Sequence, residues 1–168
     1  MYNIGELVQY GNSGVCKIEE IMHGMPGLDK NVDYYLMVPV NGRDGKIYAP
    51  VNNENLKMRK ILTREDAKKL IDSVPEVVGI KIVNEKQCEA VYKEALYSVD
   101  CSRWLELLKT LYIRRDQRTK AGKKITATDE RYLKNAEERF FDEFSIVLGE
   151  EEAKDRLADL PKKMLETA

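Results

Sequence analysis

In the first 60 residues the apolar positions are grouped in short runs with turn-forming residues between them, which indicates short β-strands. Four runs, at 6–10, 15–21, 32–38 and 46–51, are rich in β-branched and aromatic residues. Turn-forming residues separate them at 11–14, 24–30 and 41–45, and a fifth short strand is predicted near 56–61. This many short strands in so short a segment predicts a small twisted barrel of the SH3 or Tudor type.

After residue 61 the apolar positions recur every three or four residues, as in amphipathic helices. The predicted helices run from a Thr63 cap to 73–75, over 85–97, onward from an Asp100 cap, from Thr126 or Thr128 to Gly149, and over 150–160. The third of them carries an apolar stripe that includes Trp104, so Trp104 is predicted to lie in the core.

A barrel and a helix bundle seldom share one core, so the chain is predicted to form two domains. The fold class is α+β, with an N-terminal SH3/Tudor-like small β-barrel at 1–62 followed by a C-terminal all-α helical domain at 63–168. Within the second domain, 63–81 is predicted to be a connecting helix and linker.

The chain as a whole is nearly neutral, but one segment is strongly basic. The 168 residues have a formal net charge of −1, but 109–124 contains seven basic residues and one acidic residue. Such a block predicts local affinity for anions, and its candidates for contact with DNA phosphates are Arg114, Arg115, Arg118, Lys120, Lys123 and Lys124. The alternative is a solvated helix end, because cations at a helix C-terminus also stabilise the helix dipole.

The sequence contains little that could perform catalysis. His23, the only histidine, is predicted to lie in a loop, and Cys16 is predicted to be a buried structural thiol. The three cysteines form no C-x-x-C pair, and no phosphate-binding or nucleophile motif is present. We therefore expect a non-enzymatic protein without metal or cofactor. The odd number of cysteines favours a reducing cytoplasm, and no signal peptide or long apolar run is found, so we expect a cytoplasmic protein without a membrane partner. Without a catalytic motif, we also expect no small-molecule substrate.

The barrel offers a second candidate surface. A proline directly after a strand-like run is typical of an edge strand, and an edge can accept a strand from a partner. The segment consists of Lys46, Ile47, Tyr48 and Pro50, with Ala49 between them. The alternative for Ile47 is that it belongs to the core. Of Tyr34 and Tyr35, alternation predicts that one points inward and the other outward.

Several segments, in order, carry a resemblance to a known family. They are 4–10 (IGELVQY), 14–15, 18–21, 34–36, 47–51 with Asn53, 92–96, 111–118 (LYIRRDQR), 121–124, 128–131 and 136–137. Over about residues 1–150 the chain resembles the CarD/CdnL family of bacterial transcriptional regulators. The first domain of that family is similar to the polymerase-interacting domain of the transcription-repair coupling factor.

The resemblance implies that the Tudor-like barrel binds the RNA polymerase β subunit, for which Lys46, Ile47, Tyr48 and Pro50 are the candidates. It also implies that the helical domain contacts the promoter DNA backbone near the upstream edge of the melted bubble, with low sequence specificity, and modulates open-complex stability. Such a protein has no enzymatic activity and is associated with the nucleoid through polymerase. The alternative is a general nucleic-acid-binding module whose SH3-like barrel contacts RNA or the ribosome.

Some positions depart from the family pattern. Gly11 stands where many members have a proline, and Gly24 and Tyr48 stand where some members have arginines that face the polymerase. Glu85 falls at about the position from which some members insert a tryptophan wedge into the minor groove. Without a wedge, which would hold a kinked base step, DNA contact is expected to be mostly with phosphates.

Overall fold

The computed structural model shows a β-rich N-terminal unit, Met1–Ile61, and a helical unit, Leu62–Ala168. It describes residues 1–11, 13–42, 44–55 and 57–168. Asn12, Arg43 and Leu56 lie outside the described residues, and with them parts of the predicted turns at 11–14 and 41–45 and the start of the predicted fifth strand.

The β-rich unit is one antiparallel sheet. Its strands are β1 (Leu7–Tyr10), β2 (Gly14–His23), β3 (Asp33–Pro39), β4 (Ile47–Pro50) and β5 (Met58–Lys60). The order across the sheet is β4-β3-β2-β1-β5, so the first four strands form a meander and the fifth returns to pair with the first. The predicted α+β class is confirmed. The predicted loop position of His23 is wrong, because the β2–β3 hairpin extends far enough for His23 to pair with Asp33.

One face of the sheet forms the core of this unit. Its buried residues are Val8, Cys16, Ile18, Tyr35, Met37 and Ala49. Burial of the Cys16 thiol raises its pKa to about 11, which confirms the prediction of a buried structural cysteine and makes the reactive thiolate rare at neutral pH.

Tyr34 lies on the opposite face of β3 from Tyr35, as alternation requires, yet it is also buried. The backbone N–H of Asp29, in the connection between β2 and β3, donates a hydrogen bond to the Tyr34 hydroxyl at 3.2 Å. The two tyrosines therefore point to opposite faces as predicted, and the connection between β2 and β3 contacts the one on the second face.

The helical unit contains α1 (Arg64–Asp72), α2 (Cys88–Tyr97), α3 (Cys101–Lys120), α4 (Ala127–Leu148), α5 (Glu150–Leu157) and α6 (Leu160–Glu166). The Thr63 and Asp100 side chains cap α1 and α3 as predicted, and Thr126 rather than Thr128 caps α4. None of the described helices combines the length and apolar character needed to cross a membrane.

Two helix boundaries differ from the prediction. The second predicted helix begins with a 3-10 turn, Glu85–Gln87, and becomes α-helical only from Cys88. The last predicted helix, 150–160, ends at Leu157 as α5, and α6, which was not predicted, follows it. Pro161 lies in the first turn of α6, where backbone N–H groups have no intrahelical acceptor, so its missing N–H costs no hydrogen bond. In the middle of a continuous helix the same residue would remove one hydrogen bond.

The core of the helical unit forms around α3 and α4. Trp104 is fully buried, and its indole N–H donates to the backbone oxygen of Leu96 at 3.0 Å, which confirms its predicted core position. On α4, the rings of Phe140 and Phe144 stack with their centroids 4.2 Å apart. Before α2, the extended segment at 77–84 is held against α3, where the Ile80 N–H donates to the Thr110 hydroxyl at 2.7 Å.

Candidate functional site

The first candidate surface is the edge of the sheet formed by β4. The Val51 N–H donates to the Asp33 oxygen at 2.9 Å, and the register continues as Tyr35 opposite Ala49 and Met37 opposite Ile47. Because hydrogen-bonded and non-hydrogen-bonded pairs alternate in antiparallel sheets, Ile47 and Ala49 direct their backbone groups toward β3. Tyr48 and Pro50 direct theirs toward the open edge. A proline fits there because its missing N–H removes no bond of the ladder.

The side chains of β4 divide in the same alternating way. Ala49 is buried and Ile47 packs against the core of the β-rich unit, as the alternative interpretation of Ile47 predicted. Tyr48 lies on the other face and is 38% exposed, and Lys46, just before the strand, is also exposed. The accessible part of this surface is therefore the Tyr48 ring, Lys46 and the outward backbone groups of Tyr48 and Pro50.

Gly24, which also departs from the pattern of the resembled family, occupies a position that excludes a side chain. Its φ is +63°, and a Cβ atom added there would lie 2.6 Å from the backbone oxygen of Lys30. An arginine at this position would strain the backbone and clash with the β2–β3 connection. Any charged contact between this unit and a partner must therefore come from other residues.

The second candidate surface is the end of α3 and the turn after it. The Lys123 N–H donates to the Arg118 oxygen at 2.8 Å, and the Gly122 N–H donates to the Thr119 oxygen at 3.0 Å. With Gly122 at a φ of +73°, these bonds form a Schellman motif. The Arg118 Nε also donates to the Lys124 oxygen at 2.6 Å, so the glycine-containing loop is an ordered turn folded back on its helix.

The structure does not bring all six predicted cations together. Lys123 and Lys124 are exposed and form no ion pair with any residue that the structure describes. Lys120 pairs with Asp116 at 2.8 Å on the surface of α3. The Arg115 guanidinium lies 5.2 Å from the centroid of the Tyr112 ring, so it is directed along a different side of the helix.

Arg114 belongs to a network that connects three helices and the 3-10 turn. Its Nε donates to Asp129 at 2.8 Å, and its two terminal nitrogens donate to the two Glu85 oxygens at 2.7 and 3.0 Å. The Tyr92 hydroxyl donates to the other Asp129 oxygen at 2.8 Å. Asp129 is only 1% exposed, whereas the Glu85 side chain is 71% exposed.

The charges in this network stabilise one another. Hydrogen bonds from Arg114 hold the pKa of Glu85 below its usual value, and hydrogen bonding to Glu85 raises the pKa of Arg114. Burial, and then the neighbouring Asp129 carboxylate, raises the pKa of Tyr92, so its hydroxyl remains protonated and can donate. Each of the three guanidinium nitrogens of Arg114 donates to a carboxylate oxygen, so in this state a phosphate could bind the two terminal nitrogens in the same way only by displacing Glu85.

Sequence reasoning missed three members of this network: Glu85, Tyr92 and Asp129. The Thr126-x-x-Asp129 spacing indicates a helix cap, and the Asp129 N–H does donate to the Thr126 hydroxyl at 3.2 Å. That spacing does not indicate that the Asp129 carboxylate is buried beneath Arg114, because the contact joins residues 15 positions apart.

Among the residues that the structure describes, no cluster of three or more histidine, cysteine or acidic side chains could hold a metal ion.

Residues 2–62 match the family model of the CarD-like/TRCF RID domain, and this match covers essentially the whole β-rich unit. No curated protein gives a significant match to the chain.

Proposed function

We propose, from the membership of residues 2–62 in the CarD-like/TRCF RID family of RNA polymerase-interacting domains, that this chain is a transcriptional regulator. Its β-rich unit binds the polymerase β subunit, and its helical unit contacts promoter DNA near the upstream edge of the bubble. It modulates open-complex stability without an enzymatic step, in the bacterial cytoplasm, and is associated with the nucleoid through polymerase. The observation that carries this proposal is the family match, over the same unit that presents the open β4 edge.

The β4 edge supports strand addition by a partner. The N–H and C=O of Tyr48 face the open side, and together they can exchange two hydrogen bonds with one residue of an incoming strand. The Tyr48 ring adds a partly exposed aromatic surface beside these groups, and tyrosine is a frequent energetic anchor in interfaces. Main-chain bonding supplies affinity, and the side chains on either side of it supply specificity.

The charge distribution supports a division of labour between the two units. Residues 1–60 contain seven basic and seven acidic residues, so the β-rich unit has no excess charge that would attract a nucleic acid. The unpaired cations Lys123 and Lys124 lie in the helical unit, next to Arg118. Contacts of this kind bind phosphates without reading bases, and tethering by polymerase raises their effective concentration.

Capture of RNA polymerase by the full-length protein tests the proposal. Tyr48→Asp is expected to reduce capture of the β subunit at least tenfold, because it places a charge at the edge and removes the aromatic contact while leaving the core face of β4 intact. Lys17→Glu, on the interior strand β2, is the matched control and should capture polymerase like the wild type. Retention of full capture by Tyr48→Asp, with both variants folded, would show that β4 is not the docking edge.

A further inference from the structure

The Arg114–Glu85 contact has the geometry of an anion site. The two terminal nitrogens of Arg114 bind both Glu85 oxygens in a fork, at 2.7 and 3.0 Å. The same fork binds two oxygens of a phosphate, so a carboxylate in this position occupies the place that a phosphate would take.

The Arg114 guanidinium is held in place independently of Glu85. Its Nε is fixed by the buried Asp129, whose own second oxygen is fixed by Tyr92. The Arg114 side chain is 23% exposed, and its two terminal nitrogens are bonded to Glu85, whose own side chain is 71% exposed. Loss of Glu85 would therefore leave an oriented pair of N–H donors rather than a mobile arginine, and such preorganisation lowers the entropic cost of binding.

Glu85 itself is held only loosely. It lies in a single 3-10 turn, its side chain is 71% exposed, and Arg114 is its only ion-pair partner among the described residues. An exposed ion pair of this kind is easily exchanged for another anion. On α3, Arg114 and Arg118 are separated by one turn and share a face, so a phosphate at Arg114 would lie about 6 Å along the helix from the Arg118 side chain.

We propose that Arg114, oriented by Asp129, is a phosphate-binding site of the helical unit that Glu85 occupies and thereby masks in the free protein. The inference rests on the proposed DNA contact and deepens it: backbone phosphate displaces Glu85 when DNA is brought to the site, and the masked state limits the affinity of the free protein for DNA.

Salt-dependent binding of the full-length protein to a duplex DNA fragment tests this proposal. In Glu85→Gln one more phosphate contact becomes available, so log K against log salt should steepen by about 0.9. The ratio of the binding constant of Glu85→Gln to that of the wild type should therefore be roughly 3.5-fold larger at 50 mM salt than at 200 mM salt. The control Glu130→Gln removes the same charge from the start of α4, from a residue without an ion pair among the described residues, and should not change the slope.

The same substitution in a protein that also carries Arg114→Lys shows whether the gain in DNA affinity depends on Arg114. Arg114→Lys keeps a positive charge opposite Asp129 but lacks the fork, so adding Glu85→Gln to it should have no more effect than Glu130→Gln. Equal slopes for Glu85→Gln and Glu130→Gln in the otherwise wild-type protein would overturn the inference, whether or not Arg114→Lys folds.

The same titration separates this inference from the proposed function. A combined Lys123→Glu and Lys124→Glu variant should lose affinity if the helical unit contacts DNA at all. If that loss occurs while Glu85→Gln matches its control, only the masked site is wrong. If the lysine variant binds like wild type, or if no variant binds DNA, the proposed DNA contact fails and the masked site fails with it.

Discussion

Replacing Trp104 with alanine is expected to lower the free energy of unfolding by about 3–5 kcal/mol, the usual cost of truncating a large buried aromatic side chain. Trp104 is fully buried within α3, so its removal leaves a cavity among the helices that pack there. It also leaves the Leu96 oxygen without the indole N–H that it accepts at 3.0 Å. Chemical denaturation, followed by circular dichroism at 222 nm, measures the change.

Tyr97→Ala is the control for this prediction. Tyr97 is an aromatic residue at the end of α2 in the same unit, but it is partly exposed, so its removal should cost much less. An unchanged unfolding curve for Trp104→Ala, together with a loss of DNA binding, would contradict the core assignment and indicate a tryptophan that contacts DNA.

Replacing Asp129 with alanine is expected to lower the free energy of unfolding by about 3 kcal/mol, at the lower end of the range for breaking a buried ion pair. The carboxylate is almost completely buried and accepts hydrogen bonds from Arg114 and Tyr92, both at 2.8 Å. Its loss leaves the buried Tyr92 hydroxyl without that acceptor. Arg114 retains Glu85, which is why the expected loss is not larger.

Glu85→Gln provides the contrast within the same network. Because the Glu85 pair with Arg114 is exposed at its outer end, this substitution should cost less than about 1 kcal/mol. Thermal unfolding of the two variants under identical conditions compares them directly. If the two losses were equal, the anchoring of Arg114 by the buried Asp129, on which the masked phosphate site depends, would be wrong.

The sequence predicted best those features whose physical cause is local. Short runs of β-branched and aromatic residues between turn residues located the five strands, and the side chains of Thr63 and Asp100 cap helices where their spacing indicated. The apolar stripe of α3 located Trp104 in the core for the same reason, since the helical period alone decides which face is apolar.

The features that sequence reasoning missed depend on contacts between distant segments. Burial of Tyr34 requires the β2–β3 connection to return over the sheet, and period-2 alternation carries no information about what covers a second face. The pairing of Arg114 with Glu85, 29 residues away, likewise does not follow from a local count of charges. The run of basic residues therefore predicted where a positively charged segment lies, but it did not predict which of the side chains in that segment are accessible.

The basic segment shows how this changes the functional expectation. Of its six predicted cations, Arg114 and Lys120 form ion pairs and Arg115 lies against Tyr112. Lys123 and Lys124 are exposed and form no ion pair with a described residue, and the turn uses only the Nε of Arg118 in the hydrogen bond to Lys124. We therefore expect about three phosphate contacts from the free protein, which corresponds to a salt slope of roughly −2.7.

The lifetime of promoter complexes challenged with competitor DNA tests most directly whether this chain acts through both partners. At saturating concentration the wild-type protein should change the lifetime of the polymerase open complex. Tyr48→Asp, at the concentration that just saturates the wild type, should have a much smaller effect because it binds polymerase more weakly. The combined Lys123→Glu and Lys124→Glu variant should have no effect although it still captures polymerase. Equal lifetimes with wild type and the lysine variant, both different from the lifetime without added protein, would contradict a role for the basic turn in the mechanism.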